Sequence, residues 1–242
     1  MLMDTPILIP TEDNKIPFFY LLQISDPLFP IGGFTQSYGL ETYVQKGIVH
    51  DAETSKKYLE SYLLNSFLYN DLLAVKLSWE YTQEGDLDKI LELEEVFSAS
   101  KAPSELRTAS QKLGKRFLKI LEFGLSENKM FNKLYERVKE GNIEVSYPVM
   151  YGFCTKLLQV GKKEALAAVT YGTASSIINN CAKLVPISQT DGQKILFNAH
   201  DIYRKLLEKV EELKEEHLGI CCFGFDLRAM QHERLYTRLY IS

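Results

Sequence analysis

Histidines offer the most direct route to metal chemistry in this sequence, because two of them one helical turn apart can hold a zinc ion. In zinc proteases the motif is His-Glu-x-x-His, whose glutamate serves as the base. His232-Glu233 begins this pattern, but residue 236 is a tyrosine. The four histidines lie far apart in the sequence, so we interpret them as surface or capped side chains: His50, His200, His217 and His232.

The sequence lacks the common patterns of nucleotide-binding and hydrolytic enzymes. A phosphate-binding loop needs G-x-x-x-x-G-K-[ST]. The nearest match, Gly114-Lys115, has Ala109 in place of the first glycine and Arg116 in place of the hydroxyl residue. No G-x-S-x-G elbow occurs. We therefore expect no GTP or ATP binding through a P-loop and no esterase chemistry.

The clustered charges have a simpler interpretation than catalysis. We interpret the acidic pairs Glu94-Glu95 and Glu211-Glu212 as solvated helix faces. Four basic residues at helical spacing receive the same interpretation, because a nucleic-acid patch would be longer and interleaved with aromatic residues: Lys112, Lys115, Arg116 and Lys119.

The four cysteines do not form a C-x-x-C pair, and in a chain of this length they do not resemble a disulfide framework. This usage predicts a reducing, cytoplasmic location. The adjacent Cys221 and Cys222 could bind a soft metal. Core packing is the favoured interpretation, because a free cysteine behaves as a small hydrophobe.

Composition supports an ordinary globular protein. The 242 residues are 45% apolar and 25% charged, with a net charge of −4. A net-acidic chain is a poor general binder of nucleic acid. Residues 1–10 lack the basic start of a secretory signal, and the longest uncharged stretch, residues 165–182, is too polar to span a membrane. We expect neither nucleic acid nor membrane as a partner.

Proline placement and apolar periodicity predict an all-α fold. Five of the eight prolines fall within the first thirty residues, which predicts an extended arm with one short helix between Pro17 and Ile24. Asp51 and Asp86 are predicted to cap the next helices. Further helices are predicted over residues 104–124, 129–140, 149–160, 163–184, 189–215 and 225–240. The prediction is one domain, a bundle of about eight to ten helices.

Three segments have compositions that ordinary loops or helix ends do not explain. The first, S-D-P-L-F-P-I-G-G-F-T-Q-S-Y-G-L-E over residues 25–41, is too apolar for an exposed loop. The second is P-I-S-Q-T-D-G-Q over residues 186–193. The third is the C-terminal segment, residues 226–242, whose tyrosines and arginines suit a protein interface.

Together these segments resemble the urease accessory protein of the F type (UreF), and the resemblance extends from about Leu21 to Ser242. It implies an all-helical, dimeric scaffold without catalytic activity. It also implies that the chain joins the UreD/UreH accessory protein to the UreG GTPase and helps to deliver nickel to apo-urease. In that role the chain binds no cofactor of its own: the complex handles nickel and the partner GTPase binds GTP.

The resemblance also implies residue roles. The arm over residues 1–34, with Phe34, and the segment over residues 219–242 match the parts that order on binding UreD/UreH. The anchors implied there are Phe34, Arg234, Tyr236, Arg238 and Tyr240. The helix from Tyr171 to Lys183 matches the dimer-forming region, and a polar path for nickel is implied near Gln189, Asp191 and Gln193.

The sequence departs from the family pattern at two places. Phe34 stands where relatives often have tyrosine, and Ala167 and Ala168 stand where some carry an arginine. Two alternatives remain beside the scaffold. One is a helical metal-dependent enzyme that uses residues such as His232 and Glu233, and the other is a helical regulator with an apolar ligand pocket.

Overall fold

The computed structural model describes residues 16–26 and 28–241, without the side chain of Phe34. Residues 1–15 of the predicted N-terminal arm therefore lie outside the described residues. The all-α prediction is confirmed, since these residues form helices and no strand. The helices are α1 Ile16–Ile24, α2 Leu40–Gln45, α3 Ala52–Tyr62, α4 Leu73–Glu84, α5 Leu87–Ser100, α6 Ser104–Leu125, α7 Lys129–Lys139, α8 Tyr147–Leu157, α9 Lys162–Leu184, α10 Gln189–Asn198, α11 His200–Glu212 and α12 Phe223–His232.

The two predicted aspartate caps are confirmed. Asp51 Oδ1 accepts the backbone N–H of Thr54 at 2.8 Å, and the Thr54 side chain returns a contact to the Asp51 backbone N–H. Asp86 Oδ1 accepts the backbone N–H of Lys89 at 3.0 Å. Each bond satisfies one of the N–H groups that a helix leaves free at its start.

Helix α8 lies at the centre of the core, against α4 and α6. It carries residues that are almost wholly buried, among them Tyr151 and Phe153. Gly152 permits its close approach to α4, since a Cβ there would lie 2.3 Å from the carbonyl oxygen of Val75. The helices α3 and α4 are joined by the π-helical segment Leu63–Leu72, whose apolar side chains enter the same core.

Two of the predicted helices have wrong boundaries. The helix predicted over residues 189–215 is broken at Ala199, so that α10 packs on α9 while α11 packs on the π-helical segment and on α9. The helix predicted over residues 225–240 ends at His232. The break at Ala199 and the unpredicted short helix α2 help to bring the described chain to twelve α-helical segments.

Two predictions about single residue types also need correction. Glu94 is not on a solvated face: it is 4% exposed and accepts hydrogen bonds from the backbone N–H of Ser146 at 2.8 Å and from its hydroxyl at 2.6 Å. Core packing is wrong for Cys221, which is exposed and donates to Asp226 at 3.1 Å, while its neighbour Cys222 is partly buried.

Among the residues described, no helix combines the length and apolar character needed to cross a membrane.

Candidate partner-binding site

The C-terminal tail, residues 233–241, folds back onto the chain instead of continuing helix α12. Gln45 on α2 donates to the carbonyl oxygen of Thr237 at 2.7 Å, and the backbone N–H of Ile241 donates to the carbonyl oxygen of Thr35 at 3.0 Å. The tail therefore lies against α2 and against the loop that holds the first unusual segment.

Glu41 is the main acceptor for the tail. It is the last residue of the S-D-P…G-L-E run, and its side chain is buried in the first turn of α2. Oε1 accepts the backbone N–H of Leu239 at 2.7 Å, and Oε2 accepts that of Tyr240 at 3.2 Å. Buried backbone N–H groups need such acceptors, so Glu41 fixes the path of the tail.

Glu105, in the first turn of α6, is the second acceptor. One of its oxygens contacts Nδ1 of His232 at 2.8 Å, and the other accepts from the guanidinium of Arg238. His232 also reaches Glu41, with 3.1 Å between Nε2 and Oε2. We call these four residues the tail clasp: Glu41, Glu105, His232 and Arg238.

His232 lies between the two carboxylates of the tail clasp. Its side chain is 1% exposed and each ring nitrogen faces a carboxylate oxygen. A neutral imidazole has one N–H and could donate to only one of them, whereas the imidazolium donates to both. The prediction that the histidines are surface or capped residues is wrong for His232.

The residues predicted to anchor a partner divide into two groups. Arg238 belongs to the tail clasp, and Tyr240 is buried, with burial raising the pKa of its hydroxyl. Tyr236 and Arg234 are exposed, and Tyr236 is fully so. Phe34 lies in the 3₁₀ turn Gly33–Thr35, beside the end of the tail, and its side chain lies outside the described residues.

Apolar side chains are exposed on helix α1, in the loop after it and on the tail itself. Helix α1 is apolar over almost its whole length, yet only Leu21 and Ile24 are buried. Leu28, in the loop that follows, is 88% exposed. Large exposed apolar areas usually mark interaction surfaces. The exposed apolar residues of α1 and the tail are Ile16, Phe18, Phe19, Tyr20, Leu22, Tyr236, Leu239 and Ile241.

The residues predicted for the dimer and the nickel path lie on α9 and α10. Tyr171 is half exposed in the middle of α9, and Lys183 is exposed near its end. Gln189 and Gln193 are exposed one turn apart at the start of α10. Asp191 bonds to Ser188 and Lys194, and these hydrogen bonds lower the pKa of its carboxyl.

Helix α9 also connects these residues to the tail region. Asn180, buried on α9, donates to the carbonyl oxygen of Gln36 at 2.8 Å. Gln36 follows the same 3₁₀ turn to which the tail bonds.

Sequence reasoning missed Glu41, Glu105 and His232 as a cluster. Glu41 and His232 stood inside two of the unusual segments, but their meeting depends on contacts between residues 191 positions apart. In the described part of the chain no group of three or more His, Cys, Asp or Glu side chains is placed to hold a metal ion.

The chain is similar in sequence to known proteins of one family. A model of the UreF family matches residues 49–200. A urease accessory protein UreF of Haemophilus influenzae (strain PittGG) is 37% identical over 222 residues, which cover 92% of this chain and 94% of that protein. A UreF of Actinobacillus pleuropneumoniae serotype 5b (strain L20) is 36% identical and one of Bacillus sp. (strain TB-90) is 29% identical, each over 92% of this chain and 97% of the relative.

Proposed function

The chain belongs to the UreF family of urease accessory proteins, which are not enzymes, and we propose that it is the dimeric scaffold of a urease maturation complex. In this proposal it links the UreD/UreH accessory protein to the UreG GTPase in the cytoplasm. The complex inserts nickel into apo-urease. The chain supplies binding surfaces, while GTP belongs to UreG and nickel is cargo of the assembly.

The observation that carries the proposal is the tail held by the tail clasp beside an exposed apolar surface. Burying apolar side chains is the main driving force for protein association, and Tyr and Arg are the residues most enriched at the centres of interfaces. Helix α1, Leu28 and the exposed tail residues Tyr236 and Leu239 provide such a surface for UreD/UreH.

The dimer is proposed to form through α9 and the start of α11. Tyr171 is half exposed, and the ring of Phe197, which is largely exposed, contacts the ring of His200 with centroids 5.1 Å apart. Tyr203 lies next to His200, and burial, followed by the nearby Tyr171, raises the pKa of its hydroxyl. Exposed aromatic rings in one place favour a second protein copy as the cover.

A nickel path near the dimer centre is proposed to use oxygen ligands. Gln189, Asp191 and Gln193 place two amides and a carboxylate at the start of α10, and Lys183 lies near the end of α9. Oxygen ligands of this kind hold a divalent ion weakly compared with thiolate or imidazole sets. An ion that must be passed on needs weak sites.

The test is co-purification of the chain with UreD/UreH and UreG, read as mass in solution with and without GTP. We expect an assembly that contains two copies of this chain. A variant that ends at Glu233 keeps His232 and removes the rest of the tail, so it should remain helical and lose UreD/UreH. A wild-type chain that binds neither protein would contradict the proposal.

A further inference from the structure

A groove of about 680 Å³ opens between the loop after α1 and the first half of α6. Ile241, at the end of the tail, closes one side of the groove. The walls are mainly apolar and include Leu28, Phe29, Pro30, Ile31 and Leu113. The volume falls in the range of sites that take a ligand or a few side chains of a partner, roughly 300–1,000 Å³.

Two cations stand on the α6 side of this groove. Lys112 and Arg116 line it one helical turn apart, and both are exposed. Neither side chain makes a hydrogen bond or an ion pair with any other part of the chain that the structure describes. The groove's carboxylate, Glu105, is already engaged by His232 and Arg238. The uncompensated charge of the groove is therefore positive, although the whole chain carries −4.

We propose that this groove, which we call the basic groove, binds a segment of a partner protein that places an apolar side chain next to carboxylates. The inference rests on the proposed function and assigns the groove to the UreD/UreH partner. The apolar side chain would contact Leu28 and Ile31, and the carboxylates would pair with Lys112 and Arg116. An arginine guanidinium forms paired hydrogen bonds to a carboxylate, so it adds orientation as well as charge.

A second copy of this chain suits the basic groove poorly. A two-fold symmetric contact presents the same patch from both copies, so the two positive rims would meet. Like charges brought together across an interface oppose association. An acidic segment of a different protein removes that conflict.

The test compares two charge reversals of equal size. Lys112→Glu/Arg116→Glu reverses the groove, whereas Lys119→Glu/Lys133→Glu reverses two exposed lysines on α6 and α7 that do not line it. Affinity for purified UreD/UreH is measured by calorimetry at low and high salt. We expect at least about a tenfold loss for the groove variant, with a weaker salt dependence than the wild type, and little change for the control. Equal affinities of the two variants would overturn the proposal.

The apolar wall is tested in the same way with Leu28→Ser against Phe123→Ser. Both side chains are largely exposed, at 88% and 72%, so neither change should unfold the chain. We expect only Leu28→Ser to weaken binding. If the wild type binds UreD/UreH and both serine variants bind equally, the basic groove is the wrong place while the scaffold function stands. If the wild type does not bind, the scaffold function fails first.

Other occupants of the basic groove would give different results in the charge-reversal experiment. A groove reversal that leaves UreD/UreH binding intact but dissociates the chain's own dimer would assign the groove to a second copy. An effect of the reversal that disappears in a chain beginning at Ile16 would assign it to residues 1–15. Either result would overturn the proposal.

Discussion

His232 connects two parts of the chain that lie far apart in the sequence. It bonds to Glu41 at the start of α2 and to Glu105 at the start of α6, and both glutamates also hold the tail. Removing one member of a buried ionic cluster leaves an uncompensated charge, which costs about 3–5 kcal/mol in well-buried cases. His232 therefore contributes to the position of the tail from outside it, through both carboxylates.

We predict that His232→Gln loosens the tail. Glutamine has a single donor nitrogen, so it cannot contact both carboxylates as the two ring nitrogens do, and Arg238 alone would remain beside them. We expect tryptic cleavage after Arg234 and Arg238 to become at least about tenfold faster, and the free energy of unfolding to fall by about 2–3 kcal/mol. His200→Gln, at an exposed site on α11, is the control. Equal cleavage of both variants and the wild type would show that the tail does not depend on His232.

Glu94 gives a pH dependence of stability. Burial raises the pKa of its carboxyl from 4.5 to about 7. Between these values the folded chain holds a proton that the unfolded chain has lost, so this residue makes the free energy of unfolding fall as pH rises through the window.

We predict that Glu94→Gln removes this residue's contribution to the change of the free energy of unfolding with pH. Glutamine can keep both contacts with Ser146 but has no proton to lose, so its stability relative to the wild type should rise by up to about 3 kcal/mol between pH 4.5 and pH 8. Chemical unfolding of the two proteins at several pH values measures the difference, and other titrating groups cancel in the subtraction. A difference that stays constant with pH would be evidence against a buried, protonated Glu94.

At the scale of elements, the close packing of α8 makes its glycine irreplaceable. We predict that Gly152→Ala lowers the free energy of unfolding by about 3 kcal/mol or more, because the new Cβ would meet the Val75 carbonyl oxygen at 2.3 Å and rigid backbone must shift. Gly124→Ala in α6 has no atom within 4 Å and should be neutral or stabilising, since alanine favours helices. Thermal melting of both variants checks this. Similar melting temperatures would mean that α8 and α4 separate easily.

Local signals predicted the elements that depend on local chemistry. The caps at Asp51 and Asp86 follow from side chains three residues from their donors, and α6 follows from an apolar stripe with helical period. The break at Ala199 carries no such signal. The apolar residues keep helical spacing across the break. Both helices pack on α9, and α11 also packs on the π-helical segment.

The candidate site likewise depends on contacts between distant residues, which local sequence signals do not reveal. The motif segments contain Glu41 and His232, yet the tail was predicted to be helical, and Leu235, Tyr236 and Leu239 have helical spacing. In the structure the Glu41 carboxylate binds the N–H groups of Leu239 and Tyr240, and turns and bends replace the helix. A backbone hydrogen bond to a distant glutamate cannot be inferred from periodicity.

At the scale of the whole molecule, α9 joins the two proposed interfaces. Tyr171 and Lys183 lie on this helix, and the buried Asn180 on the same helix bonds to the loop that receives the tail. A rigid 23-residue helix therefore connects the proposed dimer surface with the proposed UreD/UreH surface. A scaffold that aligns several partners needs such a rigid connection between its binding sites.

The dimer surface gives the last prediction. Tyr171→Asp places a charge where a second copy is proposed to cover an exposed tyrosine, and a buried unpaired carboxylate is costly. We expect the dissociation constant of the dimer to rise about 100-fold, close to 3 kcal/mol, while helix content stays unchanged. Light scattering after gel filtration distinguishes the 27.8 kDa monomer from a particle of twice that mass. Phe123→Asp, at an exposed aromatic on α6, is the control and should remain dimeric. A Tyr171→Asp protein that is as dimeric as the wild type would move the dimer surface away from α9.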